Sequence, residues 1–134
     1  MKILITGSDG FIGKNLVVHL RVRSDLQLTD IEKSNSQTEL AAAVTQADFI
    51  FHLAGVNRPT DPAEFAVGNR DLTTKLAEFV CATGRSIPFV ISSSIQAERD
   101  NPYGLSKLGA GEALLAKNPL LIGGVHILSP AKCM

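Results

Sequence analysis

Tyr103, the single tyrosine of the chain, stands four residues before Lys107, and three serines, Ser92, Ser93 and Ser94, lie shortly before both. On a helix that spacing puts the phenol and the ammonium on one face, a turn apart. The chemistry open to such a set is proton transfer to a carbonyl oxygen. The phenol would be the general acid, and a serine hydroxyl would donate a hydrogen bond to the same oxygen. An unperturbed tyrosine titrates near ~10, and bringing it to ~7 takes about 4 kcal/mol of preference for the phenolate. A cation about 4 Å away at an effective dielectric of ~20 supplies about that much. Tyr and Lys also meet this spacing by chance, as an exposed aromatic beside a solvated lysine. The set gains weight only from elements that would bring it to a bound reactant.

Those elements begin at the amino terminus. Residues 2–6, KILIT, form a short apolar run with β-branched members and read as a buried strand. Gly7, Gly10 and Gly13 come next at a spacing of three, and Phe11, Ile12, Leu16, Val17 and Leu20 then recur at helical spacing. Strand, glycine turn and helix are the context in which a dinucleotide is bound. Gly7 would allow the sharp turn, Gly10 the approach of backbone to a pyrophosphate, and Gly13 the packing of helix on strand. The helix start at Phe11 and Ile12 would offer N–H groups to the phosphates. Gly13-Lys14 also looks like the end of a P-loop. That match fails at Ser8, where the first glycine belongs, and at Asn15, where a Mg²⁺-binding hydroxyl belongs. A glycine turn with no ligand is the plainer alternative, and three glycines placed at the first βα turn weigh against it. With a nicotinamide dinucleotide supplying hydride and Tyr103 the proton, a ketone could be reduced.

Residues 26–31, LQLTDI, read as a second strand ending near Asp30. An acidic residue there takes the adenosine ribose hydroxyls and favours NAD, whereas Lys33 could hold a 2′-phosphate and favour NADP. Asp30, Glu32 and Lys33 can equally be a solvated loop. Residues 34–37 are polar and loop-like, and 38–46 carry helix formers that would cross back over the sheet. Residues 48–53, DFIFHL, are almost continuously apolar, as a buried parallel strand should be. They open into Leu53, Ala54 and Gly55, where small residues let the backbone come close to a cofactor. His52, alone on an apolar strand, reads as a core or loop anchor.

Asp61-Pro62-Ala63-Glu64 has the pattern of a helix start. Leu72, Leu76, Phe79, Val80 and Thr83 make a core-facing stripe, with Gly84 as the C-terminal cap. Residues 88–92, PFVIS, are a fourth strand, so the serines fall at its carboxyl end, where open α/β sheets bind ligands. If the strand persists, Ser93 points away from Ser92 and Ser94. Asn101-Pro102 would open the helix bearing Tyr103 and Lys107, Asn118-Pro119 would end it, and 120–128 could supply one more strand. The alternation predicts an α/β, Rossmann-like, doubly wound parallel sheet.

The chain has 134 residues, an apolar content of 45% and zero formal net charge, the balance of one globular domain over 1–134. That neutrality gives no electrostatic case for nucleic acid or an anionic membrane, and the absence of Trp argues against base stacking. Cys81 and Cys133 lack metal-ligand spacing, so no metal is expected. Cys81 reads as a buried small hydrophobe and Cys133 as an exposed thiol near a frayed end. No signal peptide and no apolar run of membrane-spanning length are visible, so a cytoplasmic location is expected.

TGSDGFIG, as TGxxGxxG, and DFIFHLAG, as DxxxHLAG, resemble the extended, nucleotide-sugar branch of the short-chain dehydrogenase/reductases. ADFIFHLAGVNRP, SSSIQA and DNPYGLSK are similar to its capsular-polysaccharide reductases, which act on UDP-linked 6-deoxy-4-ketohexosamines. The resemblance runs to about residue 117. It implies reduction of a UDP-4-keto-6-deoxy-hexosamine with a nicotinamide cofactor, usually NADPH, with NAD the alternative. It implies Ser94, Tyr103 and Lys107 as the catalytic set, with Lys107 also holding the nicotinamide ribose. Gly7, Gly10, Phe11, Ile12, Gly13, Asp30, Lys33, Leu53, Ala54, Gly55 and Ser92 would line the cofactor, with Asp48 near its adenine end. Asn69 would support the site, although a helix-surface amide is its simpler reading.

After Lys117 the family would continue with a strand, a sugar-site turn, more strands and a substrate domain. Here VHIL is followed by SPAKCM. The chain therefore looks like the N-terminal half of an extended member, incomplete at its C-terminus. An exposed apolar sheet edge and self-association, as a homodimer or otherwise, are expected on that ground. A nucleotide-sugar epimerase or dehydratase, or a non-catalytic NAD(P)-binding fragment, are the alternative readings.

Overall fold

A computed structural model describes residues 1–54, 71–85, 87–92, 121–122 and 125–128. In chain order the elements are β1 (Lys2–Thr6), α1 (Phe11–Arg21), β2 (Gln27–Ile31), α2 (Gln37–Gln46), β3 (Phe49–His52), α3 (Leu72–Thr83), β4 (Phe89–Ser92), β5 (Leu121–Ile122) and β6 (Val125–Leu128).

The layers arise from side chains alternating across strands that are apolar on both faces. Ile3 and Ile5 of β1 bury against Val17 of α1, with Leu28, Phe49 and Phe51 around them. Leu4 and Ile50 face the other way, onto Leu40 and Val44 of α2 and Leu76, Ala77 and Val80 of α3. Among the described residues, one helix thus covers one face and two cover the other, the expected doubly wound arrangement. The strand order is β2-β1-β3-β4-β6-β5, with β1 parallel to both β2 and β3, and β3 parallel to β4. From β1 the chain goes to one side to make β2 and to the other to make β3. A crevice therefore opens between β1 and β3 at their carboxyl ends.

The far edge differs from the expected single extra strand. Residues 120–128 contain two strands, and β6 is antiparallel to both β4 and β5. Only Gly123 and Gly124 separate β5 from β6, a link too short for the crossover a parallel pair requires. The outer edge of β4 is paired, with Ser92 opposite Val125, and the two-residue β5 stands beyond β6.

Two helix ends show local chemistry. α3 stops at Gly84, as predicted, with φ 66° and its N–H donating to the Cys81 carbonyl. α2 begins one residue before its predicted start, because Ser36 and Glu39 close a capping box. The Glu39 N–H donates to Ser36 Oγ at 3.1 Å, and the Ser36 N–H donates to Glu39 Oε2 at 2.6 Å. Cys81, read from sequence as a buried apolar residue, is half-buried and disulfide-bonded. The predicted helix start at 61–64 and the helix predicted for Tyr103 and Lys107 lie outside the described residues.

The Ser36 backbone N–H, then the Asn35 amide, hold the Glu39 carboxyl below its usual range. A depressed folded-state value means the box stabilises above the ordinary glutamate range and is lost as pH falls through the depressed value. Ser36→Ala is expected to lower unfolding free energy by about 1 kcal/mol at neutral pH, measured by urea denaturation.

Candidate functional site

The carboxyl ends of β1, β2 and β3 meet at Gly7. Its N–H donates to the Ile31 carbonyl at the end of β2, and the Leu53 N–H donates to Thr6 O at the end of β1. Gly7 has φ +77°, and a Cβ there would lie 2.6 Å from Ala54 N and 2.7 Å from Ala54 Cα. Both handedness and space therefore demand glycine. At Gly13 a Cβ would lie 2.1 Å from Gly7 O and 2.7 Å from Ser8 Cα, so α1 docks directly on the turn. Gly10 is different: among the described residues a Cβ would meet only Gly7 O, at 3.4 Å. Among the described residues Gly10 is spacious, which fits a glycine kept small for an incoming ligand.

Gly10 caps α1 without a side-chain bond, the first turn has no acidic residue, and the first bond back to the cap comes from Lys14 N to Gly10 O at 2.9 Å. The N–H groups of Phe11, Ile12 and Gly13 precede that bond, at the positive end of the helix. Phe11 is 85% exposed and Ile12 58%, both at the mouth of the crevice. This corner fits a dinucleotide: it offers donors, positive potential and, among the described residues, no side chain in the way.

Glu32 is a site residue that the sequence reading left in a solvated loop. Its carboxylate accepts from Ser8 Oγ and from the Asp9 N–H, the latter at 3.1 Å. Its own N–H donates to Asn35 Oδ1 at 2.7 Å. A carboxylate is thus anchored on the glycine turn, just beyond the end of β2. Asp30, one residue before that end, lies 3.8 Å from Arg21 Nη2 on α1 in a solvent-facing ion pair. Lys33 is exposed and makes no ion pair among the described residues.

Beneath the corner, Thr6 Oγ1 lies 2.6 Å from His52 Nδ1, and His52 Nε2 lies 2.8 Å from Thr73 Oγ1. The Ala54 N–H donates to Thr6 Oγ1 at 3.3 Å. His52 is 2% exposed and anchors β3 to β1 and α3, which accords with its reading as a core or loop anchor. Leu53 packs into the α1-side core.

Asp48 does not join this group. It stands at the amino end of β3, where its Oδ2 accepts from the Lys2 N–H at 2.8 Å and its Oδ1 lies 3.3 Å from Arg85 Nη2. The Lys2 N–H, then the Arg85 charge, hold its carboxyl below the usual range. The sheet separates it from the crevice, so its expected place near the adenine is corrected to that of a tie between strand starts. Ser92 ends β4, on the crevice side of the sheet. Gly55, Asn69, Ser94, Tyr103 and Lys107 lie outside the described residues. Among the described residues there is no group of three His, Cys, Asp or Glu that could hold a metal, and no helix long and apolar enough to cross a membrane.

Residues 3–117 match the NAD dependent epimerase/dehydratase family. The chain belongs to that family. Over 114 residues it is 50% identical to a UDP-2-acetamido-2,6-beta-L-arabino-hexul-4-ose reductase of Pseudomonas aeruginosa, covering 85% of this chain and 31% of the relative. A GDP-6-deoxy-D-talose 4-dehydrogenase of Aggregatibacter actinomycetemcomitans is 38% identical over 63 residues, 42% of this chain and 21% of that one. Among solved structures, the capsular polysaccharide assembling protein CapF from Staphylococcus aureus superposes with TM-score 0.72 at 40% identity, over 87% of this chain and 31% of CapF. A UDP-glucuronic acid 4-epimerase from Bacillus cereus in complex with NAD gives TM-score 0.73 at 19% identity, over 87% of this chain and 52% of that one, a likeness of fold. The family assignment bears out the resemblance drawn from the glycine and HLAG strings. The chain spans about a third or less of the length of these curated relatives.

The glycine geometry separates two roles. Gly13→Ala is expected to cost about 2 kcal/mol or more, since backbone must shift to admit the methyl. Gly10→Ala is expected to cost about 1 kcal/mol or less, a capping penalty only. Chemical denaturation of the two variants checks the difference.

Proposed function

We propose that this chain binds a nicotinamide dinucleotide across the carboxyl ends of β1, β2 and β3 and serves reduction of a nucleotide-linked 4-keto sugar. The observation that carries the binding is the Gly7–Gly10–Gly13 corner, in which Gly10 alone has room to spare among the described residues. The substrate class rests on the 50% identical Pseudomonas aeruginosa reductase, whose name specifies a UDP-linked hexul-4-ose. A UDP-4-keto-6-deoxy-hexosamine of capsular or O-antigen polysaccharide synthesis is the substrate inferred.

The dinucleotide would supply hydride. The N–H groups of Phe11, Ile12 and Gly13 would hold its phosphates, and the Leu53-Ala54-Gly55 backbone would line it. Tyr103 would hold and deliver the proton at the carbonyl oxygen, Ser94 would donate a hydrogen bond there, and Lys107 would favour the phenolate. Asn69 and Ser92 would support that site. These roles are carried by the order of the motifs along the chain.

Of the two dinucleotides NADP is proposed, on the charge of Lys33 beside the corner. NAD is the second reading, favoured by the Glu32 carboxylate on Ser8 and Asp9, which would oppose a 2′-phosphate. A second functional reading is a dinucleotide-binding unit without turnover. A nucleotide-sugar epimerase or dehydratase would use the same residues.

Titrating the 134-residue chain with NADPH and NADH, followed by nicotinamide fluorescence, tests these readings. Saturable binding that Gly10→Val abolishes, with the fold retained by circular dichroism, is expected. Unchanged affinity in Gly10→Val would overturn the assignment. Lys33→Ala should weaken NADPH about tenfold and leave NADH unaltered, as for loss of one charged hydrogen bond. NADPH oxidation with a UDP-4-keto sugar, lost in Tyr103→Phe, is the outcome for the reductase. Binding without oxidation is the outcome for the non-catalytic unit.

A further inference from the structure

We propose that Thr6, His52 and Thr73 form a positioning chain that sets the Ala54 backbone against the glycine corner for cofactor binding. The proposal rests on the dinucleotide reading above and concerns residues beneath the crevice that would not touch the ligand.

Thr6 and His52 are each 2% exposed, and Thr73 is 1% exposed. They lie on three elements: the end of β1, the end of β3 and the first turn of α3. Burying a hydroxyl and an imidazole costs free energy unless each is bonded, and β3 is otherwise apolar. A leucine or isoleucine at 52 would serve packing alone. The polar chain adds direction.

That direction can be worked out. Thr6 Oγ1 accepts the Ala54 N–H at 3.3 Å, which leaves its own proton for His52 Nδ1, 2.6 Å away. His52 then carries its proton on Nε2 and donates it to Thr73 Oγ1 at 2.8 Å. This tautomer, assigned from the bonding pattern, gives the Thr6 hydroxyl and both imidazole nitrogens a partner. The Thr6 hydroxyl is therefore fixed by the imidazole rather than free to rotate, and it pins the Ala54 N–H in turn. Ala54 is the residue whose N and Cα would lie 2.6 and 2.7 Å from a Cβ on Gly7. A slight turn of the Ala54 peptide would press on the glycine corner directly. Thr73 ties the same line to α3, so the helix and both strand ends hold one backbone position.

Thr6→Val and Thr6→Ser separate positioning from stability in the full chain. Both remove favourable packing or bonding and should lower the melting temperature. Only Val removes the hydroxyl that holds Ala54. Dinucleotide affinity, measured by fluorescence titration with whichever of NADH and NADPH the wild type binds more tightly, should fall about tenfold in Thr6→Val and stay within about threefold of wild type in Thr6→Ser. Equal affinity in Thr6→Val and wild type overturns the proposal, as does a loss in both variants that tracks their melting temperatures. If Thr6→Val does not fold, Thr73→Val reads the same chain from its far end: weakened binding supports it and unchanged binding overturns it. Should the wild type bind neither dinucleotide, the functional reading itself fails. Wild-type binding with indifferent variants removes the positioning chain alone.

Discussion

At Gly7 there is no room for a side chain, and the layout of the crevice depends on that shortage. The Ala54 backbone closes on one side of the turn, and Gly13, at the start of α1, closes on the other. Close-packed backbone of this kind cannot yield by rotamer changes, because the nearest atoms are main-chain atoms. Its rigidity fixes the direction in which α1 leaves β1. It also fixes which N–H groups the helix presents beyond the ends of the strands. The hydrophobic layers on either side of the sheet are generous by comparison, since Val17 or Leu40 could be repacked without moving the turn.

The electrostatics of the corner are mixed. The helix start brings positive potential, yet Glu32 reaches across from the end of β2 and places a carboxylate on Ser8 and the Asp9 N–H. Lys33 is the next residue along, and it brings the opposite charge. The phosphates of a dinucleotide and its adenosine end would therefore meet opposite local fields within a few residues. The sheet orders these charges: residues just after β2 sit next to the turn, whereas Asp48, before β3, is a full strand length away.

Much of this was legible in sequence because local rules governed it. Gly7 and Gly84 adopt the left-handed backbone that their positions implied, and the apolar runs of β1 and β3 became central strands. Ser36 and Glu39 were legible in principle, three residues apart ahead of an apolar run, but the run of polar residues before them read as loop. The edge hairpin was hidden because two short apolar stretches flanking Gly123-Gly124 look like one strand when periodicity alone is counted. Glu32 and the Thr6–His52–Thr73 line could not be read at all. Their partners lie 24, 46 and 21 residues away in sequence, and only the register of the sheet brings them together. The place assigned to Asp48 failed for a related reason: a motif that runs the length of a strand does not say which end of it faces a ligand.

The antiparallel edge has a practical corollary. Because β6 runs against its neighbour, it carries the polypeptide from Val125, beside Ser92, back down to Leu128, beside Phe89. Met1 sits on that same lower rim, its ammonium bonded to the Asp25 carbonyl at 2.9 Å and its carbonyl to the Gln27 N–H. Both points thus lie on the side remote from the crevice. A fusion partner or immobilising handle joined at Met1 would leave the crevice unobstructed.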